Sequence, residues 1–341
     1  YSHGAGCGCK LAPAVLDQIL ANKRTPPQSF PNLLVGNSTK DDAGAFDLGD
    51  GRAMLSTTDF FMPIVDDPYQ FGRIASANAI SDIYAMGGTP NMAIAILGWP
   101  IDKLPADVAG QVIDGARSIC AVAGVALAGG HSIDSPEPIF GLAVNGLVDI
   151  KDLMHNDAGQ DGDLLFLTKS VGVGILSTAE KRGILRDEDL GIAAKSMMQL
   201  NSIGGVLSKM EGVHAMTDVT GFGILGHMSE MCVGSGLNGV VHVDAVKLLT
   251  DLDHYLEQGS IPGGTKRNWA SYSDKIGELS ERNRWILADP QTSGGLLVAV
   301  APEAKHAVIE TLRSAGLSNH IEPIGELMKR TDDNEAYIQV K

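Results

Sequence analysis

The alternation of apolar and polar positions predicts strands and helices in both halves of the chain. Helical spacing of apolar residues predicts helices over 11–22, 71–86, 106–123, 224–232 and 302–315, with mostly helical stretches over 172–185 and 190–209. Short apolar runs predict strands over 33–35, 53–58, 91–99, 125–128, 139–148, 164–168, 214–217, 239–243, 296–300, 321–327 and 336–340. Strands and helices do not alternate strictly, so the pattern favours an α+β fold over a doubly wound parallel sheet.

A polar, glycine-bearing stretch over 149–163 divides the chain, and a length of 341 residues suits two domains. We expect a flexible glycine- and cysteine-rich loop with a first helix over 1–30, an N-terminal domain over 31–155 and a C-terminal domain over 156–341. A segment over 257–268 is predicted to be rich in loops. Its Gly259–Lys266 portion lacks the Gly-Lys-Ser/Thr order of a phosphate-binding P-loop.

Charge and cysteine content exclude several classes of protein. The net charge of −15 argues against a nucleic-acid-binding protein, which would carry a basic stripe, and is compatible with sites for divalent cations. Four cysteines in so long a chain do not make a disulfide scaffold and fit a reducing cytoplasm. No apolar run reaches membrane-spanning length, and no signal-peptide pattern is present. We therefore expect a cytoplasmic protein without a membrane or nucleic-acid partner.

The segment over 3–10 holds two of the four cysteines, interleaved with glycines and followed by a lysine. Its glycines permit a close bend around a ligand, and Lys10 would favour the reactive thiolate of Cys7. The segment therefore indicates a mobile nucleophile or carrier of a soft atom. Half of a zinc site and an inert pair of thiols, Cys7 and Cys9, remain open as alternatives, although no second cysteine pair follows.

Several carboxylates occur at predicted strand ends, in glycine-flanked turns or within a helix; they are Asp41, Asp42, Asp59, Asp82 and Asp218. Asp82 shares a helix face with Asn78, for which a surface ridge is the alternative. Converging carboxylates repel one another unless they bind a cation, and Mg²⁺ prefers oxygen ligands. The pattern predicts nucleotide phosphates held through Mg²⁺, with Lys10 and Lys40 able to neutralise them.

A second phosphate-binding candidate is the predicted strand that leads into Gly129, Gly130, His131 and Ser132, where backbone N–H groups and a hydroxyl would suit an anion. A local structural hydrogen bond is the alternative for His131. Core positions are expected for Cys120 and Cys232. His227 is expected to be structural or to support a site residue, and the Asp289 side chain to close a local turn.

Six motifs spread along nearly the whole chain carry a family resemblance. They are HGAGCGCK at 3–10, STTDFFMP at 56–63, NAISDIYAMGG at 78–88, LAGGHS at 127–132, MTDVTGFG at 216–223 and DPQTSGG at 289–295. The sequence resembles the selenophosphate synthetase (selenide, water dikinase) family, which belongs to the aminoimidazole ribonucleotide synthetase-like superfamily. The opening motif is specific to that family, whereas the aspartate motifs are shared across the superfamily.

The resemblance implies ATP-dependent synthesis of selenophosphate from selenide and water, with release of AMP and orthophosphate. It implies that Cys7 handles the chalcogen, that Lys10 contacts the phosphates, and that Cys9 is less critical. It also implies the remaining site residues by their match to family motifs. These are Asp42, Asp82 and Asp218 as Mg²⁺ ligands; Thr39, Lys40, Asp41 and Asp59, with Lys10 and Asp82, around ATP; and Gly130, His131 and Ser132 at the ATP of a neighbouring subunit.

The family further implies a homodimer in which the N-terminal ATP-binding domains pair their sheets into a shared barrel-like core. We expect the 1–10 loop to be disordered when the site is empty and ordered with nucleotide. The sequence leaves open whether a monovalent cation is needed and which protein delivers selenide. Two other functions remain: a superfamily enzyme that acts on a carbonyl or amide oxygen, which would need no thiol loop, and a non-catalytic selenium or metal carrier.

Overall fold

Two six-stranded sheets organise the residues described by the computed structural model, which are 4–11, 13–21, 29–37, 40–332 and 334–341. The helices are α1 Pro13–Ala21, α2 Pro68–Ala85, α3 Ala106–Ala123, α4 Val173–Lys181, α5 Ile192–Met197, α6 Gly204–Leu207, α7 Gly223–Ser235, α8 Asp253–Glu257, α9 Gly263–Tyr272, α10 Glu281–Leu287 and α11 Lys305–Ser314. The strands are β1 Leu33–Val35, β2 Gly44–Asp47, β3 Arg52–Phe61, β4 Thr89–Trp99, β5 Ala126–Asp134, β6 Ile139–Asp149, β7 Leu164–Leu167, β8 Val213–Asp218, β9 Leu237–Val241, β10 Leu296–Val300, β11 Gly325–Lys329 and β12 Ile338–Val340.

The first sheet has the order β1-β2-β3-β6-β4-β5 and is antiparallel except where β4 pairs with β5. Strand β3 alternates buried and exposed side chains, because successive residues of a strand point to opposite faces. Leu55 and Phe61 are buried on the face that α2 covers, whereas Met54 and Phe60 are exposed. One face of this sheet is therefore packed by helices, and the other carries exposed apolar side chains.

Helices α2 and α3 pack closely because glycines stand at their crossing. A Cβ atom added to Gly72 would lie 1.9 Å from the carbonyl oxygen of Val112, and one added to Gly115 would lie 2.0 Å from that of Tyr69. Helix α2 begins after Asp67, whose carboxylate accepts a hydrogen bond from the backbone N–H of Gln70 at 2.8 Å. This helix is almost entirely buried, so polar side chains on it need specific partners.

The second sheet has the order β12-β9-β11-β7-β10-β8, with β12 and β9 parallel. Every residue of β10 is buried, as expected for a strand paired on both sides and covered on both faces. Strand β8 lies at the edge of this sheet and ends at Asp218. Among the described residues, no helix is long and apolar enough to cross a membrane.

The α+β prediction is confirmed, and strands β1 and β10 have the predicted bounds. Helix α3 also has its predicted bounds and is capped by Gly124 in the left-handed conformation at φ 70°.

Three local predictions are wrong. Strand β3 continues to Phe61 and does not end at Thr58, so Asp59 lies within the strand, two residues from its end. Strand β5 is an exposed edge strand that continues through Gly129–Ser132, where we expected a buried strand followed by an open loop. The segment predicted to be loop-rich contains the first turns of α9.

Candidate active site

The segment over 4–10, here called the thiol loop, lies between the half of the molecule built on the first sheet and the half built on the second sheet. Residues Gly6–Cys9 form one 3₁₀ turn, and the Gly6 N–H donates to the carbonyl of Met62, in the first half, at 3.0 Å. The Cys7 N–H donates to the Thr292 hydroxyl, in the second half, at 2.9 Å. The φ of +49° at Gly6 lies in the left-handed region, which glycine adopts without strain. The segment thus bends into a pocket that both halves supply.

The Cys7 side chain points inward and is buried, with 1% of its surface exposed. Its thiol donates a hydrogen bond to Asn78 Oδ1 at 3.2 Å. Burial raises the pKa of this thiol well above its ordinary value, and the opposing charge of Lys10 does not outweigh that effect. Lys10 thus favours the thiolate as expected, but burial has the larger effect on the pKa, and in this conformation Cys7 is a hydrogen-bond donor to Asn78.

Lys10 and Asp59 form an ion pair beside the thiol, with Nζ and Oδ2 at 3.2 Å. The Asn78 amide donates to the same Asp59 oxygen at 2.5 Å, so Asn78 contacts both Cys7 and Asp59. Burial alone would lower the pKa of Lys10, but the negative charges around it, Asp59 foremost, raise that pKa well above its ordinary value. Lys10 is therefore a fixed positive charge at the mouth of the site.

Three carboxylates from distant parts of the chain converge behind this pair. Asp82 comes from α2 and accepts from the Thr57 hydroxyl at 2.5 Å, while Asp42 accepts from the Thr217 hydroxyl at 3.0 Å. The third, Asp218, ends β8. Burial and mutual repulsion raise the pKa of Asp42 and Asp82 well above the ordinary value, and mainly burial raises that of Asp218 to about 6.

The three-aspartate cluster fits a hard divalent cation. The Oδ2 atoms of Asp42 and Asp218 are buried and have no hydrogen-bond partner among the described residues. A buried carboxylate oxygen without a donor is costly, and bound Mg²⁺ would supply the missing partner. The cluster therefore has the oxygen ligands and the excess negative charge that such an ion requires.

Asp41 faces away from this cluster toward the segment that joins the two halves. Its carboxylate accepts from the Asn156 N–H at 2.8 Å and lies 3.8 Å from Nδ1 of His155. One ligand atom each from Asp41, His155 and Asp157 lies within 4.8 Å of the others, so this second group could also hold a metal ion. Its neighbour Lys40 has a left-handed φ of 59°, which costs a non-glycine residue energy.

Thr39, the remaining residue predicted to contact nucleotide near Lys40, lies outside the described residues.

Gly130, His131 and Ser132 lie apart from the aspartates within one chain. Gly130 on β5 pairs with Ala95, which pairs with Leu142, which in turn pairs with Asp59. Three strand spacings separate Gly130 from Asp59, or about 14 Å. The Gly-Gly-His-Ser strand lines a cavity of about 210 Å³ together with Arg117. One chain alone does not bring these residues to the three-aspartate cluster.

Several residues that complete the site were not predicted from the sequence. Asn78 was placed on the same helix face as Asp82, but no site role was predicted for it. Thr292 and Ser293 belong to the DPQTSGG motif, but nothing in the sequence linked that motif to Cys7, which lies 285 residues or more away in the chain. Ser293 has a left-handed φ of 49°, and its N–H donates to Asn78 Oδ1 at 2.7 Å. The turn that precedes β10 is therefore part of the thiol site.

A buried lysine holds this turn from behind. Lys169 is 5% exposed and donates to the carbonyl oxygens of Ser293 and Gln199, each at 2.8 Å. Burial lowers its pKa to about 7.

Four other residues, for which the sequence predicted core, supporting or turn roles, are all buried. Cys120 and Cys232 are buried in the core. His227 accepts a hydrogen bond from the Thr220 N–H at 3.1 Å, and burial lowers its pKa to about 3, so it is neutral. Asp289 accepts from the Gly174 N–H at 2.9 Å, which fixes the start of α4 and differs from the local turn that we expected.

Comparison with known proteins gives consistent similarities over almost the whole chain. Residues 40–148 match the family model of the N-terminal domain of AIR synthase related protein, and residues 160–337 match that of its C-terminal domain. The chain is 56% identical over 331 residues to the selenide, water dikinase of Aeromonas hydrophila, covering 97% of this chain and 95% of that relative. It is 59% identical over 324 residues to the selenide, water dikinase of Shewanella baltica, and the match covers 95% of this chain and 91% of that relative.

A solved structure with the same fold is that of thiamine-monophosphate kinase from Stenotrophomonas maltophilia, with a TM-score of 0.65 and 18% identity. The match covers 96% of this chain and 95% of that one. At this identity the likeness concerns the fold alone.

Proposed function

Because the chain belongs to the selenide, water dikinase family, within the superfamily defined by AIR synthase, we propose that Cys7, Lys10 and the three-aspartate cluster carry out the family's reaction. That reaction makes selenophosphate from selenide, ATP and water. The observation that supports this assignment most directly is the seating of a thiol, a lysine and buried carboxylates in one pocket between the two halves.

Three residues of the thiol site have separate roles in the proposed reaction. Cys7 handles selenide, and the loop that carries it covers the reacting groups, so that an unstable intermediate is kept from water. Lys10, held by Asp59, lies where it can neutralise phosphate charge. Asn78 orients both the thiol and the Asp59 carboxylate, because its amide contacts each of them.

Mg²⁺ would be held by Asp42, Asp82 and Asp218 in this proposal. When bound, it offsets negative charge on the phosphates of ATP and on the leaving groups. The buried Oδ2 atoms without partners and the raised pKa values of the cluster support a cation there. Thr39, Lys40, Asp41 and Asp59 would contact the nucleotide. The strained backbone of Lys40 supports a ligand-binding role for that segment.

A homodimer would complete the site. Strand β5 has no partner strand on its outer edge among the described residues, and the outer face of the first sheet carries the exposed apolar residues Phe46, Met54 and Phe60. Both features support pairing with a second copy. Gly130, His131 and Ser132 would then reach the ATP bound to the neighbouring subunit. We place the enzyme in the cytoplasm, where reducing conditions keep Cys7 and Cys9 as thiols.

Phosphorus NMR with Mg-ATP and selenide under anaerobic, reducing conditions tests this function. We expect the parent protein to form selenophosphate and AMP, and Cys7→Ser and Lys10→Ala to lose at least about a hundredfold in rate, as removal of a transition-state contact does. Cys9→Ser, the matched control, should retain activity within about tenfold, because Cys9 donates only to the carbonyl of Gly6 in its own loop.

The product distribution separates the alternatives. Nucleotide turnover without selenophosphate would point to another acceptor within the superfamily. If Mg²⁺ and ATP give no nucleotide turnover at all, the proposal that the protein is an enzyme would be contradicted. A non-catalytic carrier of selenium or metal would then be the remaining function.

A further inference from the structure

The thiol loop makes specific hydrogen bonds to the second half of the molecule that the reaction itself does not require. The hydroxyl of Thr292 accepts from the Cys7 N–H at 2.9 Å, and Arg267 on α9 donates from Nη2 to the Gly8 carbonyl at 2.8 Å. Thr292 is 2% exposed, so its contact with Cys7 is shielded from water. Two neighbouring loop residues are thus fixed by two separate elements of the second half.

The fit between loop and receptor is tight on this side. A Cβ atom at Gly6 would lie 2.4 Å from Thr292 Oγ1, and one at Gly221 would lie 2.8 Å from the Cys7 carbonyl oxygen. Both distances are shorter than any ordinary carbon contact, so both positions need glycine. The loop therefore lies in a closely fitting groove of the second half and does not rest loosely on the surface.

The turn that carries Thr292 is itself held rigidly. Lys169 donates to the Ser293 carbonyl, Asn201 donates to the Gly294 carbonyl at 2.8 Å, and the Ser293 N–H donates to Asn78. Ser293 keeps a left-handed φ despite its side chain, which requires that its surroundings determine the conformation. A rigid support is what precise placement of a nucleophile needs.

We propose that Thr292 is a positioning residue for Cys7 and that Thr292 and Arg267 together form a latch that holds the thiol loop closed against the second half. The latch rests on the proposed function, in which the closed loop is the reactive one. Since Met62 and Asn78 hold the same loop from the first half, closure requires both halves to be apposed.

Alkylation of Cys7 by iodoacetamide, followed by peptide mass spectrometry, measures the latch directly. The protein is held with Mg²⁺ and a non-hydrolysable ATP analogue, which favour the closed loop. Thr292→Val removes the hydroxyl at nearly constant volume, and we expect Cys7 to be alkylated about five- to tenfold faster than in the parent, the effect of one lost hydrogen bond. Thr292→Ser keeps the hydroxyl and should stay within about twofold of the parent.

Arg267→Met tests the second contact at an exposed position, where misfolding is not expected, and should speed alkylation by about two- to fivefold. The control is Thr311→Val on α11, where the hydroxyl bonds only to the Ala307 carbonyl, and its alkylation rate should match the parent's. In steady-state assays normalised to the ATP-binding fraction of each preparation, Thr292→Val should lower kcat with little change in the KM for ATP. The normalisation is needed because a partly unfolded preparation would lower the apparent kcat without changing KM.

The outcomes separate the latch from the function. Unchanged alkylation in both Thr292→Val and Arg267→Met, or a parent Cys7 as reactive as a free thiol, would overturn the latch. If Thr292→Val does not fold, Arg267→Met decides by itself. A parent that forms no selenophosphate would contradict the proposed function, and it would leave the alkylation result intact.

Discussion

Lys169 shows how much of this site depends on a single buried charge. Lys169 follows β7 by two residues, and its ammonium group donates to two backbone carbonyls, one of them in the turn that contacts Cys7. Because burial disfavours the charged form, its pKa falls to about 7. The folded protein therefore releases this proton at a much lower pH than the unfolded chain does.

We predict that Lys169 makes stability increase with pH above neutrality. Between about pH 7 and pH 10 the unfolded chain binds a proton at this side chain that the folded protein lacks, so the unfolding free energy rises with pH. From pH 7 to pH 9 the parent should gain about 2 kcal/mol more than Lys169→Met in urea unfolding.

Lys195→Met, which alters an exposed lysine on α5, should keep the pH dependence of the parent. Identical pH dependence in the parent and Lys169→Met would show that the Lys169 ammonium titrates normally in the folded protein.

Among the elements, the crossing of α2 and α3 supports the whole site, because α2 carries Asn78 and Asp82 on its buried face. The two helices approach so closely at Gly72 and Gly115 that no side chain fits between them. A shift of α2 would move Asn78 relative to Cys7 and Asp82 relative to Asp218. Packing at this crossing is therefore coupled to the geometry of the active site.

We predict that Gly115→Ala destabilises the protein by about 2 kcal/mol, since the new methyl group would overlap the Tyr69 carbonyl oxygen 2.0 Å away. Gly110→Ala on the same helix faces open space and should instead stabilise by about 0.5 to 1 kcal/mol. Thermal or urea unfolding of the two variants measures the contrast. Equal stability would mean that α2 and α3 separate easily.

The elements also show what could be predicted from the sequence. Helix α3 and strand β10 were predicted with the observed bounds because periodicity and a capping glycine define them locally. Asp59 was misplaced because a charged residue usually ends a buried strand, and its partners, Lys10 and Asn78, are distant in the chain. The contribution of Thr292 could not be predicted, since only the folded chain brings it to Cys7.

At the scale of the whole molecule, the first sheet is the part that leaves the most apolar surface and backbone uncovered. Its outer face carries exposed apolar residues, and β5 leaves one edge unpaired in the described part of the chain. Large exposed apolar surfaces of this kind mark interaction sites. The family resemblance predicted a homodimer through this sheet, and that assembly stays a prediction.

We predict that the parent protein is a dimer and that Ile133→Glu, at a residue 59% exposed on β5, is a monomer that forms selenophosphate more slowly. A charge buried at the interface would cost several kcal/mol, and separation would remove Gly130–Ser132 from the neighbouring ATP. Light scattering after size-exclusion chromatography measures the molar mass and so the oligomeric state of each variant. Val122→Glu, at an exposed position on α3 away from the sheet, should remain dimeric. A dimeric Ile133→Glu protein would place the interface elsewhere.

The burial of Cys7 has a consequence for the durability of the enzyme. Oxidation of a cysteine to its sulfenic acid proceeds through the thiolate and requires access by the oxidant. In the closed loop the Cys7 sulfur is both protonated and shielded by the surrounding protein. Peroxide should therefore inactivate the enzyme mainly while the loop is open. If nucleotide closes the loop as we expect, bound nucleotide should protect the Cys7 thiol between turnovers.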